Sequence, residues 1–390
     1  MISVDEALEH IFALSTPTNT ETIPLTEAQG RVLAQDVTAL RAQPPFAGSA
    51  MDGYAVRSAD VSAGGTLTVI GEAAAGRRFD KPVGQGQAVR IFTGAPVPDG
   101  ADRILIQEDT DRDGDTLHLH DDLDAGPYIR PAGSDFPADF TLSTPRRLGP
   151  NDIALLASMG AGQIVTYRPP TVAILATGDE LVAPGERPGP DQIMASNSYG
   201  LHAMFRAAGA HPRLLPIARD TAASLSTAFD LAASADLIVT IGGASVGDYD
   251  LVRPVAGARG MEPSFYKVAM RPGKPLMAGR IDSTPIIGLP GNPVSAMVCG
   301  RIFVLPLLDA MQGLSAKPAA RLNIPLAAPL PANGPREHYM RAVMADGVVT
   351  AFDRQDSSLL NVLHRSNALV VRPPNAPKAN TGTPVPVVPL

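Results

Sequence analysis

Apolar and polar positions fall into a strand and helix rhythm through the middle of the chain. Leu237–Ile241 is an apolar, β-branched run too short for a helix and closed by Gly242 and Gly243, the pattern of a strand buried on both faces. Residues 172–175 repeat it ahead of the loop TGDEL. The pattern around them predicts helices near 198–208 and 222–233, strands at 213–217, 264–269 and 285–289, and a helix from about Val294. This βαβ alternation implies a parallel sheet covered by helices on both faces. Ligands of such sheets sit beyond the carboxyl ends of the strands, so the loops there are where chemistry is expected.

The flanking segments are patterned differently. Ser3 and Glu6 fit a capping box ahead of Val4, Ala7, Leu8, Ile11 and Phe12, one apolar helix face that must stop before Pro17. That stripe suits a core or subunit-contact helix better than a membrane-surface one, which favours basic residues. Short runs at 66–70, 88–92, 103–107 and 116–120, separated by Gly, Pro and Asp turns, predict a small all-β unit. A helix at 151–159 stops at Gly160, a strand follows at 163–167, and Pro169 and Pro170 mark a boundary. After Pro318 short strands and many prolines predict a second β unit. The fold class expected is α/β plus β, in a multidomain chain.

Composition narrows the function. A chain of 390 residues holds two to four domains at roughly 100 to 200 residues each. The net charge of -7 argues against sequence-independent nucleic-acid binding, which needs a basic face, so any anionic ligand must be held locally. A single cysteine, Cys299, sits in an apolar segment and reads as a buried structural thiol in a reducing compartment. No basic, apolar leader and no uncharged apolar run near the ~20 residues of a bilayer span is evident, so a soluble, cytoplasmic protein is expected.

Candidate chemistry concentrates in loops. Gly242, Gly243 and Gly247 free the backbone after the central strand, and Ser245, Asp248 and Asp250 bring oxygens to the same place. With Asp179, Glu180 and Asp220 these carboxylates would repel one another unless a hard cation, magnesium, sits among them. Lys267, Arg271 and Lys274, with the glycines Gly288 and Gly291, supply charge and donors for a phosphate or another oxyanion. Metal beside an anion cradle suits phosphoanhydride cleavage or transfer. The stretch FAGSAMDGYAV sets Asp52 among small residues and suits a plain turn as well as a site; TGAPVP contains Thr93, and YIRPAGSDF contains Arg130 and Asp135. Walker A, GxGxxG and GxSxG sequences are absent, as is any Cys/His cluster. His118 and His120 read as a solvated strand face, and DTDRDGD, lacking the closing glutamate of an EF-hand, as a hairpin tip.

Taken in order, SAMDGYAV, TGA, TGDEL, SN at 196–197, GGASVGDYD, RPGKP and GLPGNPVSA resemble the molybdopterin molybdenumtransferase family, the bacterial MoeA type also similar to the gephyrin E domain. The resemblance runs over essentially the whole chain. It implies an elongated homodimer of four-domain subunits that takes adenylylated molybdopterin and molybdate, cleaves the adenylate with Mg2+ and releases AMP. The division it implies is 1–44 with 131–168 as a linking and dimer-contact domain, 45–130 as an inserted β domain, 169–312 as the α/β molybdopterin-binding domain, and 313–390 as a C-terminal β-barrel-like domain. By resemblance, Glu180, Asp220, Asp248 and Asp250 serve the metal and adenylate, while Asp52, Thr93, Arg130 and Asp135 face the partner's sheet domain across the dimer. Gly242, Gly243 and Ser245 lie with the substrate. Lys267, Arg271 and Lys274 would hold molybdate or pterin phosphate; Pro290, Pro293 and Ser295 would shape the pterin pocket, with Ser357 reaching in from the C-terminal domain. Two positions depart from the family: Ala47-Gly48 stands where Asp-Asn is common, and Arg271 where lysine is frequent, exchanging a point charge for a planar fork. The resemblance leaves two alternatives, a molybdopterin adenylyltransferase and a non-enzymatic scaffold, and contacts with an adenylyltransferase or a recipient molybdoenzyme as partners.

Overall fold

The computed structural model of the chain describes residues 1–242 and 251–390. At its centre is a six-stranded sheet in the order His211–Leu214, Thr171–Ala176, Leu237–Ile241, Thr284–Leu289, Pro275–Ile281, Glu262–Lys267. The first four strands are parallel, as the rhythm predicts. The last two correct the all-parallel expectation: Pro275–Ile281 runs antiparallel to Thr284–Leu289, and Glu262–Lys267 antiparallel to Pro275–Ile281. The connection dictates this. Only Asp282 and Ser283 separate Pro275–Ile281 from Thr284–Leu289, and Asp282 takes φ 51, so the two form a tight hairpin where no crossover has room. Sequence pattern missed Pro275–Ile281 because Ala278, Gly279 and Arg280 dilute its β-branched signal. It also placed the 213–217 strand two residues late.

Alternate residues of Thr171–Ala176 feed two cores. Val172 and Ile174 join Leu201, Phe205 and Val298 on one face, Ala173 and Leu175 join Leu225 and Phe229 on the other, so helices do cover both sides. Pro293–Met311 is one continuous 19-residue helix with a π-helical turn at Gly300–Val304. Its length and mean hydropathy of 1.7 would let it cross a membrane, but 78% of it is buried in the fold, the position of a core helix. The N-terminal helix Val4–Phe12 has the expected capping box: the Ser3 hydroxyl accepts from the Glu6 N–H at 3.1 Å and Glu6 Oε2 accepts from the Ser3 N–H at 2.7 Å. It buries Val4, Ala7, Leu8 and Ile11 in a core shared with Phe265, Leu307, Tyr339 and Leu369, tying the central sheet to the C-terminal one.

The predicted β unit is a six-stranded sheet in which Gly53–Val56 lies between Arg103–Ile106 and Gln87–Ile91. Its last hairpin, Thr110–Asp113 with Thr116–Leu119, turns at Gly114 and Asp115, and His120 Nε2 meets Asp111 at 3.0 Å on the exposed face. At the C-terminus Glu337–Ala345 pairs with Ala368–Arg372 and Val348–Ala351, and Pro384–Pro389 with Leu322–Pro325. A bridge from Leu326 to Val349 brings the edge strand Leu322–Pro325 back to the hairpin of Glu337–Ala345 and Val348–Ala351, the physical basis of a barrel-like closure. Met270–Arg271, from the loop between two central strands, adds to its edge beside Glu337 and His338.

Candidate functional site

The parallel strands all end at one edge of the central sheet, where Glu262–Lys267 also ends and Pro275–Ile281 begins. Loops there line a cleft of about 570 Å³, with Thr177, Glu180, Asn197, Gly242, Pro290, Asn292, Pro293 and Ser358 in its wall. A more apolar groove of about 530 Å³ between Met204, Met297, Leu305 and Leu363 lies away from these loops. Its charged groups are engaged: Arg147 with Asp309 at 2.9 Å, Arg301 with the Pro389 carbonyl.

Two acids come together on neighbouring loops. A bridge between Thr177 and Ala218 zips the loops after Thr171–Ala176 and His211–Leu214. Thr177 Oγ1 donates to Asp220 Oδ1 at 2.9 Å, and the Asp220 N–H to Asp179 Oδ1 at 3.4 Å. Glu180 is exposed at the rim and folds back over Gly178, where any Cβ would strike its carboxylate. Across the cleft, Asn197 Nδ2 donates to the Gly291 carbonyl at 2.7 Å, which fixes the PGNP turn at the start of the Pro293–Met311 helix.

The opposite wall comes from the C-terminal barrel. The Val294 N–H donates to the Ser357 carbonyl at 3.0 Å, and Ser358 donates to Asp356 Oδ1 from both N–H and hydroxyl at 2.8 and 2.6 Å. That loop holds Arg341. The Arg341 side chain is fully buried, with Nε on Gln355 Oε1 at 3.1 Å and one terminal nitrogen on the Asp356 carbonyl at 2.6 Å. Its other terminal nitrogen has no hydrogen-bond partner among the described residues. Burial pushes the Arg341 pKa down; the Asp356 carboxylate opposes the shift and the Arg271 charge adds to it. A buried cation with an open donor is costly alone and is completed by an anion or a water.

Three family models match consecutive parts of the sequence: MoeA N-terminal region (domain I and II) over 2–160, probable molybdopterin binding domain over 173–310, and MoeA C-terminal region (domain IV) over 323–390. Molybdopterin molybdenumtransferase 2 of Mycobacterium tuberculosis is 37% identical over 379 residues, 93% of each chain. The chain belongs to the molybdopterin molybdenumtransferase family. The molybdopterin molybdenumtransferase of Haemophilus influenzae is 37% identical over 80% of this chain and 78% of its own. A solved molybdopterin biosynthesis MoeA protein of Pyrococcus horikoshii OT3 superposes over the whole of both chains with a TM-score of 0.85 at 25% identity.

Within this family member, the residues singled out from sequence divide into groups. Glu180, Gly242, Pro290 and Pro293 line the cleft, and Asp220 stands beside it. Gly243, Ser245, Asp248 and Asp250 lie outside the described residues. Ser295 is buried in its helix, and Ser357 contributes a carbonyl to that helix while its neighbour Ser358 reaches the cleft. Lys267, Arg271 and Lys274 sit on the same edge without lining the cleft, Arg271 paired in register with His338. The loop between them is tight: Gly273 has φ +117, and a Cβ there would come within 2.5 Å of the Cys299 sulfur. Cys299 is fully buried, which pushes its thiol up.

Asp52 and Thr93 form a second centre in the inserted sheet. The Thr93 N–H and hydroxyl both donate to Asp52 Oδ1 at 2.7 Å, and these bonds hold the Asp52 carboxyl below the usual aspartate range. Gly53 follows because a Cβ would overlap the Leu105 carbonyl of the next strand. Arg130 is exposed in a two-residue strand beside Gly48, and Asp135 is exposed, its N–H on the Gln43 carbonyl at 2.9 Å. None of these four lines the cleft of the same chain. Ala47 and Gly48 act through backbone, the Ala47 carbonyl accepting from Val97 and Gly48 pairing with Arg130.

Sequence reasoning missed Ser358 and Arg341, and quoted Asn197 and Asn292 only within motifs, without a role. Arg341 carried a usable signal, a cation at a buried position of the strand Glu337–Ala345. His338 on that strand is buried too, and burial with the charges of Arg271, Arg341 and Arg336 pulls its pKa down to about 4. Folded, it stays neutral to about pH 4, while in the unfolded chain it binds a proton below about 6.5. The stability this gives is full above the unfolded value and is lost as pH falls toward 4. Urea denaturation is expected to show a loss on the order of 2 kcal/mol between pH 7 and 4.5 that His338→Leu removes; equal pH slopes would refute this assignment.

Proposed function

We propose that this chain inserts molybdenum from molybdate into molybdopterin presented as its adenylylate, with Mg2+-dependent cleavage of the adenylate and release of AMP. The observation that carries this reading is Arg341: a fully buried guanidinium with an open nitrogen, one loop away from Ser358 in the cleft wall. Arg271, close enough to depress its pKa, adds a second cation for an incoming dianion, with Lys267 and Lys274 on the same edge. Molybdate is here a substrate and needs such a rigid cationic nest.

Among the described residues no three Asp, Glu, His or Cys side chains stand close enough to hold an ion by themselves. Magnesium does not require that, since it commonly takes one or two carboxylates and completes its shell with substrate phosphates and water. Glu180 and Asp220, on loops joined through Thr177, fit that habit and would hold it. When bound, the ion supplies charge neutralisation on the phosphate oxygens of the adenylate. Thr177 orients Asp220, Asn197 holds the PGNP turn against the pterin side, and Pro290 and Pro293 wall the pocket.

Asp52, Thr93, Arg130 and Asp135 complete this site from a second copy, in a cytoplasmic homodimer. What supports the dimer is that the ionised Asp52 and its Thr93 donors form a prepared acid centre away from the cleft of their own chain. The adenylyltransferase and scaffold alternatives gain no specific observation. The test is AMP release from adenylylated molybdopterin with magnesium. Release is expected only when molybdate is added; release independent of molybdate, or adenylylation of apo-pterin from ATP, would reject this function.

A further inference from the structure

Arg90 lies under the Asp52 centre and has no role in the scheme above. It stands in the strand Gln87–Ile91, directly opposite Tyr54. Its guanidinium carbon lies 5.1 Å from the centre of the Tyr54 ring and 4.8 Å from that of Phe92, between the residue two past Asp52 and the residue just before Thr93. One terminal nitrogen donates to the Gly53 carbonyl at 3.3 Å and the other to Gln107 Oε1 at 2.8 Å. Gln107 in turn donates its N–H to the Asp52 carbonyl at 3.1 Å. One planar cation therefore holds the Gly53 carbonyl directly and, through Gln107, the residue that donates to the Asp52 carbonyl. The acid on Arg90's other register neighbour, Glu72, is engaged by Arg77.

We propose that Arg90 is the positioning residue for the Asp52–Thr93 pair, clamping the two strand ends that present it and holding Asp52 aimed for the partner's substrate. The inference rests on the reading that Asp52 acts in the reaction. Only a planar fork can stack on two rings while donating to two acceptors at an angle; lysine offers a compact charge on a flexible stem. A shift of the carboxylate by about 1 Å is enough to cost roughly 100-fold in rate.

The test compares Asp52→Asn, Arg90→Lys, Arg90→Gln and Arg90→Ala in molybdate-dependent AMP release by the intact protein. Arg90→Lys and Arg90→Gln are expected to lower kcat about 100-fold with KM for the adenylylated pterin changed less than about threefold. Millimolar guanidinium should restore part of the rate of Arg90→Ala and leave Asp52→Asn unaffected. Near wild-type kcat in both Arg90→Lys and Arg90→Gln, with Asp52→Asn inactive, would overturn the role of Arg90 alone. Wild-type activity of Asp52→Asn would instead overturn the assignment of Asp52. Arg90→Lys retains the charge over the rings, so should Arg90→Gln fail to fold, the Lys variant and the guanidinium rescue decide the matter.

Discussion

Glu180→Gln is expected to lower AMP release by about 10²- to 10³-fold while leaving the melting temperature within about 1 °C of the parent. The asymmetry follows from where Glu180 sits. It is exposed at the cleft rim and makes no side-chain hydrogen bond among the described residues, so its removal takes little from the folded state. The amide keeps the shape and removes the charge. On the proposed reading Glu180 would hold magnesium against a phosphoanhydride and act through that charge, so its loss falls on the transition state, where the phosphate oxygens carry most negative charge. Raising magnesium should recover part of the rate in Glu180→Asp and none in Glu180→Gln. A stability loss matching the activity loss, read by thermal melting beside kinetics, would make Glu180 a structural residue.

Periodicity was most informative where burial was one-dimensional. Leu237–Ile241 is apolar at every position because helices cover both faces of its sheet, and that pattern is visible without partners. The capping box of Ser3 and Glu6 was equally legible, since both members lie three residues apart. Pro275–Ile281 was not, because its strand character comes from pairing with Thr284–Leu289 across a two-residue turn. The site divides the same way. Glu180, Gly242, Pro290 and Pro293 follow strand ends and could be placed on one edge by topology alone. Ser358 reaches that edge only through the packing of the barrel, about 65 to 180 residues along the chain from the loops it faces, and Arg341 stands behind it through the Asp356 carbonyl, long-range facts that no local pattern carries. Ser357 and Ser358 show the limit in miniature. Adjacent in sequence, they split their work, one giving a carbonyl to Val294 and the other lining the cleft.

Arg341→Met separates binding from folding most sharply. A buried guanidinium whose pKa burial pulls down, with one nitrogen unpartnered, is a poor stabiliser: the cost of removing charge from water is only partly offset by Gln355 and the Asp356 carbonyl. Met fills similar volume without that cost; Gln355 Oε1 and the Asp356 carbonyl each lose one donor and keep one, the backbone N–H of residue 341 and that of Leu359. The two effects oppose, and the expected net change in unfolding free energy is within about 1 to 2 kcal/mol. Under the proposed function, molybdate binding at Arg341 has no such compensation. Losing a charge-assisted contact from a desolvated site should raise the molybdate concentration for half-maximal AMP release by about 100-fold or more, with the KM for the adenylylated pterin little changed. Arg341→Lys should fall in between, since one ammonium cannot bond Gln355, the Asp356 carbonyl and an oxyanion in the same plane. Titration of molybdate dependence beside urea denaturation checks both halves. A variant that unfolds readily yet binds molybdate as the parent does would mean that Arg341 serves the barrel, and the anion would have to be held by Lys267, Arg271 and Lys274 alone.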